Sequence, residues 1–189
     1  TSCSNCPRMV YGINVAKEKA PGRLIKMSIH GPMAENDPMQ LKPYAEPLMN
    51  KYGCYLTYPV AVLNGVRRWN EAAGFDDMKS FLPDQTGIGV ALSTRIDGDK
   101  AYIDMSVRTM NAYEKPCSVA VVLVENGLHF KQLQDDGSYD NSYVHDDVIR
   151  RYLTDVLGDA LEEGELKVAK LLTKSYTYDI SSLLVRDHV

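Results

Sequence analysis

The chain opens with Thr1-Ser2-Cys3-Ser4-Asn5-Cys6-Pro7, which places two cysteines three residues apart at the start of a predicted helix. Apolar side chains at helical spacing, with Pro7 suited to a first turn, predict that helix over residues 7–20. A helix N-terminus presents free N–H groups and the positive end of the helix dipole, and both stabilise a thiolate. The stretch therefore predicts either a thiol–disulfide exchange site or a disulfide that ties a loop to a helix.

Exchange chemistry gives the two cysteines different roles. Cys3, the more N-terminal one, is the predicted nucleophile, and Cys6 is the predicted thiol that resolves a mixed disulfide with a substrate. The alternative is a structural disulfide, which is common in exported proteins. Exposure separates the two readings, because an exchanging pair leaves one sulfur accessible to solvent whereas a structural pair is covered.

A second informative stretch is Thr57-Tyr58-Pro59-Val60-Ala61-Val62-Leu63-Asn64-Gly65. It predicts a short strand over residues 59–63, a tight turn at Asn64-Gly65 and a return strand over 66–69. Between this stretch and the cysteines, the patterns predict a strand over 23–30 and a helix over 39–52 that Pro43 and Pro47 kink or break. A short helix over 75–82 follows the hairpin.

The second half of the chain has the alternating pattern of an antiparallel sheet. Two hairpins are predicted, strands 88–96 and 100–110 joined at Asp97-Gly98, and strands 118–125 and 128–132 joined at Asn126-Gly127. Residues 143–157 have helical spacing, and 165–180 contain further strands. This half is therefore predicted to be a β-sandwich with one inserted helical or irregular segment.

The order of these motifs resembles the thioredoxin superfamily. In that family a Cys-x-x-Cys motif opens a helix, and a cis-proline before a strand faces it, as Cys3–Cys6 and Pro59 would here. The resemblance implies that the Tyr58–Pro59 bond is cis and that both residues bind an extended substrate segment beside Cys3. The family also has a central strand before the motif. We therefore expect either that the natural protein has residues upstream of Thr1 that form this strand, or that another segment takes its place in the sheet.

The chain as a whole resembles the Omp28-related outer-membrane proteins of Gram-negative bacteria. The resemblance is carried by the opening stretch, by residues 121–127 (Val-Val-Leu-Val-Glu-Asn-Gly) and by residues 143–150 (Tyr-Val-His-Asp-Asp-Val-Ile-Arg). It implies a thioredoxin-like domain over 1–85 and an immunoglobulin-like β-sandwich over 86–189. It also implies an exported cell-envelope protein, associated with the outer membrane through a lipid anchor upstream of Thr1.

Two function classes follow from these patterns. The first is a thiol–disulfide oxidoreductase that acts on a protein or peptide substrate. The second is a non-catalytic envelope protein whose disulfide is structural and which binds a partner protein or nutrient at the cell surface. The net charge of −4 and the lack of a basic run argue against nucleic acid as a partner.

No metal or cofactor signature is present in the sequence. The four histidines, His30, His129, His145 and His188, lack ligand spacing, and no second cysteine pair completes a zinc motif. His145-Asp146-Asp147 is compatible with acid–base chemistry, but an acidic helix start explains it as well. Cys54 and Cys117 are predicted to be inert, although a regulatory role or a further disulfide is open for Cys54.

Overall fold

The computed structural model describes residues 1–32, 36–54, 57–111, 116–162 and 166–183. Contacts divide the chain into two compact units, Thr1–Pro83 with Val124–Arg150, and Asp84–Leu123 with Arg151–Val189. The fold mixes helices with mostly short antiparallel strands, so the predicted class is confirmed at that level. The division into domains at residues 85 and 86 stays a prediction.

The helices of the first unit are α1 (Cys6–Lys19), α2 (Lys42–Tyr52) and α3 (Phe75–Lys79), with a 3-10 turn at Glu71–Ala73. All three match predicted helices. α1 has a proline in its first turn and two lysines in its last, where cations face the negative end of the helix dipole. α2 runs without interruption across Pro47, so of the two predicted alternatives the break is wrong, and a kink stays a prediction. The helix is capped by Gly53, whose φ is 59°.

The strands are mostly two residues long, with five longer exceptions. They are β1 (Val62–Leu63), β2 (Arg67–Arg68), β3 (Ile88–Asp97), β4 (Lys100–Thr109), β5 (Ser118–Val119), β6 (Val122–Glu125), β7 (Leu128–His129), β8 (Gln132–Leu133), β9 (Tyr139–Asp140), β10 (Val144–His145), β11 (Val148–Tyr152), β12 (Asp159–Ala160) and β13 (Leu171–Asp179).

The β1–β2 hairpin forms where the sequence predicts it. Val62 pairs with Arg68 and Leu63 with Arg67. Asn64 and Gly65 have φ values of 49° and 66°, the left-handed conformation that a tight hairpin turn needs at both central residues. The hairpin follows Pro59, with Val60 and Ala61 between Pro59 and β1.

The packing of α1 depends on close contact with Trp69. Met9 and Ala16 of α1 form a buried cluster with Trp69 and Met78. A Cβ atom added at Gly12 would lie 3.0 Å from the edge of the Trp69 ring, so only glycine fits there without movement. This contact fixes α1, and with it the cysteine at its start.

Residues 23–30 do not form a regular strand. Two isolated parallel bridges, Ser28 with Val148 and His30 with Gln40, are found in place of the predicted ladder. Ile25 is 89% exposed, whereas only 7% of the Lys26 side chain is exposed, and Lys26 ion-pairs with Asp147 at 3.1 Å. The apolar residues of this segment therefore do not all face a core.

The second unit is built on a three-stranded antiparallel sheet in the order β13-β4-β3. The predicted hairpin of β3 and β4 is confirmed, and its register pairs Asp97 with Lys100. One face of β4 is buried through alternate residues, which pack against Val121, Leu123 and Leu172; these are Ala101, Ile103, Met105 and Val107.

Two predictions for the region 118–157 are wrong. Asn126-Gly127 does not join a hairpin, because β6 pairs with β11 and β7 pairs with β10. Residues 143–157 are not helical and contain β10 and β11. Glu125 of β6 is fully buried and ion-pairs with Arg150 of β11 at 3.1 Å, a polar contact that the hairpin prediction does not include.

Replacing Gly12 by valine should destabilise the protein by about 1–3 kcal/mol, because the added side chain overpacks the buried Trp69 ring. Urea unfolding monitored by circular dichroism measures the change. Tyr11→Val is the matched control, since it puts valine one position away at a side chain that is 71% exposed. A Gly12→Val protein as stable as the control would contradict the packing argument.

Candidate functional site

A disulfide joins Cys3 and Cys6 at the amino end of α1. The turn that carries it is closed by the N–H of Cys6, which donates to the carbonyl of Cys3 at 3.3 Å. Both cysteines are half-buried, so neither residue is enclosed in the core. The two cysteines predicted as the reacting pair are therefore bonded and half-buried, at the end of a 14-residue helix.

Gln132 holds the segment that carries Cys3. Its side-chain Nε2 donates to the Cys3 carbonyl at 2.8 Å and also lies 2.8 Å from the Leu133 carbonyl. Its Oε1 accepts a hydrogen bond from the Thr1 hydroxyl. Gln132 is only 2% exposed, and a buried amide is costly unless it is hydrogen-bonded in this way. It therefore fixes the backbone of the first cysteine.

The backbone of Thr1 also bonds to β8. Its amino group donates to the Lys131 carbonyl, and its carbonyl accepts from the N–H of Leu133 at 2.9 Å. The start of the chain is thus attached to β8 by main-chain and side-chain bonds together.

The Tyr58–Pro59 peptide bond is cis, as the resemblance implied. Tyr58 is half-buried, and its hydroxyl donates to the sulfur of Met49 at 3.1 Å. Burial, with a smaller contribution from Cys54, raises the pKa of Tyr58 above its ordinary value. The structure thus anchors Tyr58 to α2, and the substrate-binding role of Tyr58 and Pro59 stays a prediction.

A cluster of half-buried His30 with buried Asp37 and His145 lies in the same unit. Nδ1 of His30 donates to Oδ2 of Asp37 at 2.7 Å, and Oδ1 of Asp37 accepts the N–H of Met39 at 2.9 Å. Burial alone would raise the pKa of Asp37. The hydrogen bonds from His30 and Met39, together with the charge of His30, nevertheless hold this pKa below its usual value.

His145 packs against His30 in an edge-on contact with ring centroids 5.2 Å apart, and against Tyr143 at 4.8 Å. Its Nε2 lies 3.1 Å from the Phe130 carbonyl, so this nitrogen carries the proton and donates it. Burial first, and the charge of His30 second, lower the pKa of His145 to about 4. His145 is therefore a neutral side chain in the folded protein near pH 7.

The acidic residues after His145 have structural partners. Asp146 accepts the N–H of Gly127 at 2.8 Å, and Asp147 ion-pairs with Lys26 at 3.1 Å and Lys17 at 3.7 Å. The predicted helix start at this point is wrong, since His145 ends β10 and Asp147 has a φ of 59°. The sequence pattern indicated acidic residues next to His145, but it did not indicate that His145 is buried.

The comparison with protein families decides what the chain is. The sequence profile described as Outer membrane protein Omp28 matches residues 46–185, which is 140 of the 189 residues. The chain belongs to the Omp28 family. No curated protein and no solved structure gives a significant match. The matched range begins after Cys3 and Cys6, so the disulfide at the start of this Omp28-family protein rests on the structure alone.

Membership of the Omp28 family assigns the protein to the cell envelope, in association with the outer membrane. Within the described parts of the chain, no helix is long and apolar enough to cross a membrane.

The other cysteines and histidines of the Omp28-family chain form no further cluster that the structure describes. Cys54 and Cys117 are outside the disulfide and half-buried, and the Cys54 sulfur lies 3.9 Å from the Met49 carbonyl. Over the described ranges, no group of three His, Cys, Asp or Glu side chains is arranged to hold a metal ion. His188 lies outside those ranges.

The titration of His145 predicts how stability depends on pH. The unfolded chain binds a proton near pH 6.5 and the folded chain only near pH 4, so acid favours the unfolded state across that window. Lowering the pH from 6.5 to 4 should therefore cost up to about 3 kcal/mol. Asp37 adds its own loss only below its ordinary pKa of 3.8, because its folded pKa is lowered.

His145→Gln keeps a donor for the Phe130 carbonyl and removes the titration. Its free energy of unfolding should change less between pH 6.5 and 4 than that of the parent protein. His129→Gln, at an exposed position of β7, is the control and should keep the parent pH dependence. Equal slopes for all three proteins in urea titrations would show that His145 is not the group responsible.

Proposed function

We propose that this Omp28-family protein performs thiol–disulfide exchange in the cell envelope, with Cys3 and Cys6 as the reacting pair. The observation that carries the proposal is the position of the disulfide, half-buried at the amino end of α1. A thiolate at that end is stabilised by the helix dipole and by N–H groups that lack intrahelical partners. The substrate class is a protein or peptide that carries a dithiol or a disulfide.

We also propose a thioredoxin-like organisation for residues 1–85 and an immunoglobulin-like β-sandwich for 86–189. Support for the first comes from the order of parts, a cysteine pair at α1, then α2, a cis-proline, the β1–β2 hairpin and α3. Support for the second comes from the three-stranded antiparallel sheet with one buried face. A lipid anchor, which the family resemblance implies, stays a prediction.

The exchange step moves two electrons between the substrate and the pair. A substrate thiolate attacks the Cys3 sulfur, the Cys3–Cys6 bond breaks, and Cys6 leaves as a thiolate that takes up a proton from water. The second substrate thiolate then attacks the substrate sulfur of the mixed disulfide and releases Cys3 as a thiolate, which also takes up a proton from water. The substrate is oxidised to a disulfide and the pair is reduced to two thiols, and the reverse sequence reduces a substrate disulfide.

The residues around the pair support this chemistry by holding its backbone. Gln132 fixes the Cys3 carbonyl, and the Trp69 contact with Gly12 fixes α1. Two thiols held close together after reduction have a high effective concentration for one another, so the mixed disulfide resolves quickly. In the substrate role that we propose for them, Tyr58 and Pro59 would align the backbone of the attacking segment.

A second candidate function rests on a separate observation. The bonds of Thr1 and Gln132 already tie the segment around Cys3 to β8, and a disulfide that reinforces them would be a structural element. In that case the protein would be a non-catalytic envelope protein that binds a partner protein or a nutrient. The two candidates differ in the reactivity of the single cysteines.

Single-cysteine variants test the exchange proposal in a background that carries Cys54→Ser and Cys117→Ser. With Cys6→Ser added, the remaining Cys3 should form a mixed disulfide with oxidised glutathione at least about tenfold faster at pH 7 than Cys6 does in the Cys3→Ser protein. The expected cause is a Cys3 pKa below the ordinary thiol value of about 8.5. Mass spectrometry of quenched samples measures both rates.

The background protein with both cysteines intact is the control for folding, and its circular dichroism should match that of each variant. If Cys3 and Cys6 both react at the slow rate of an ordinary exposed thiol, the structural reading holds and the exchange proposal fails.

A further inference from the structure

Strand β3 exposes the continuation of a buried apolar row. The register places Val90, Leu92 and Ile96 of β3 opposite Val107, Met105 and Ala101 of β4, so their side chains share one face of the sheet. The β4 residues on that face are buried, yet Val90 and Leu92 are each 61% exposed and Ile96 is 49% exposed. Among the described residues, the layer that covers β4 therefore does not extend over β3.

The main chain of β3 forms an edge of the sheet as far as the structure describes the chain. The N–H of Met110 donates to the Gly87 carbonyl at 2.8 Å. The backbone N–H and C=O groups of the odd-numbered residues of β3 therefore point toward β4. By alternation, the N–H and C=O groups of even-numbered residues point away from β4. The Thr86 hydroxyl bonds to both groups of Ile88. From Val90 to Ile96, no strand among the described residues pairs with this edge.

The opposite edge of the same sheet is protected and β3 is not. Lys174 of β13 lies opposite Met105, so a charged side chain stands in the apolar row at that edge. An inward-pointing lysine is a common device against edge-to-edge pairing. The corresponding position of β3, opposite Met105 on its other side, is Leu92. Residues 88–96 contain neither lysine nor proline, and their one charged residue, Arg95, alternates onto the other face of the sheet. A strand of this kind pairs readily with another strand.

The sequence of β3 is complementary to itself in antiparallel pairing. With Leu92 opposite Leu92 of a second copy, Ile88 faces Ile96 and Val90 faces Thr94, and the outward-pointing N–H and C=O groups of Val90, Leu92 and Thr94 meet partners. In this register Arg95 faces Gly89, so no like charges oppose one another. The apolar residues of both copies also lie on the same face of the joined sheet.

We propose that β3 is the surface on which two copies of this chain pair, edge to edge and antiparallel, about a twofold axis through Leu92. The pairing joins two three-stranded sheets into one of six strands and places the exposed apolar rows side by side. It is an isologous contact, which closes with two subunits and leaves the lysine-bearing β13 edges outermost. The inference is independent of the chemistry at Cys3 and Cys6.

Sedimentation equilibrium of the full chain tests the pairing. The Cys54→Ser and Cys117→Ser background should convert, as its concentration rises, from 21.1 kDa to a species of twice that mass. Leu92→Lys should weaken this dimer at least about tenfold, because it puts a charge into the paired apolar row. Ser93→Lys is the matched control. It introduces a lysine one position further along β3, where the side chain points to the opposite face of the sheet, and it should leave the dissociation constant unchanged.

A cross-linking experiment tests the register. It also keeps the proposal testable if Leu92→Lys fails to fold. In the same background, Leu92→Cys places two thiols opposite one another, with Cα atoms about 5.5 Å apart, and a short bismaleimide should join them. In this register position 96 of one copy lies opposite position 88 of the other. The two thiols of the Ile96→Cys dimer are therefore eight residues, about 27 Å, apart along the strands and should not cross-link.

A chain that stays monomeric at millimolar concentration would overturn the proposal. So would a dimer that Leu92→Lys and Ser93→Lys weaken equally, since that would mean another surface pairs. Cross-linking at both positions would indicate unregistered aggregation along the edge and would likewise contradict a closed dimer.

Discussion

The hydrogen bonds of one buried glutamine hold the candidate site together. Gln132 donates to the carbonyl of Cys3 and accepts from the hydroxyl of Thr1, and it is almost wholly removed from solvent. A buried amide with satisfied partners specifies its surroundings, because any displacement leaves polar groups without partners in a dry interior. The disulfide, the start of α1 and strand β8 therefore form one connected structure.

The parts of the fold that follow from local signals could be predicted from the sequence. Helix α1 follows from its apolar spacing and Pro7, and the β1–β2 turn follows from Asn64-Gly65, whose residues adopt the left-handed conformation expected. The β3–β4 hairpin follows from the alternation on either side of Asp97-Gly98. In each case the pairing partner is close in sequence, so composition and spacing decide the outcome.

The parts that failed depend on partners that are distant in sequence. Asn126-Gly127 has the composition of a hairpin turn, but the strands on either side of it pair with β10 and β11 instead. Val144, Val148 and Tyr152 are four residues apart, a spacing that fits a helix and also fits every second position of a strand. Gln132 and the His30–Asp37 pair carry no local signal, because only tertiary contacts bury them.

The reduction potential of the Cys3–Cys6 pair, measured on the full chain by equilibration with a glutathione redox buffer, tests the central claim most directly. Exchange at this site predicts a potential between about −120 and −270 mV, the range of known dithiol oxidoreductases. A potential below about −300 mV, with no thiol that reacts after mild reduction, would contradict exchange and identify the disulfide as structural.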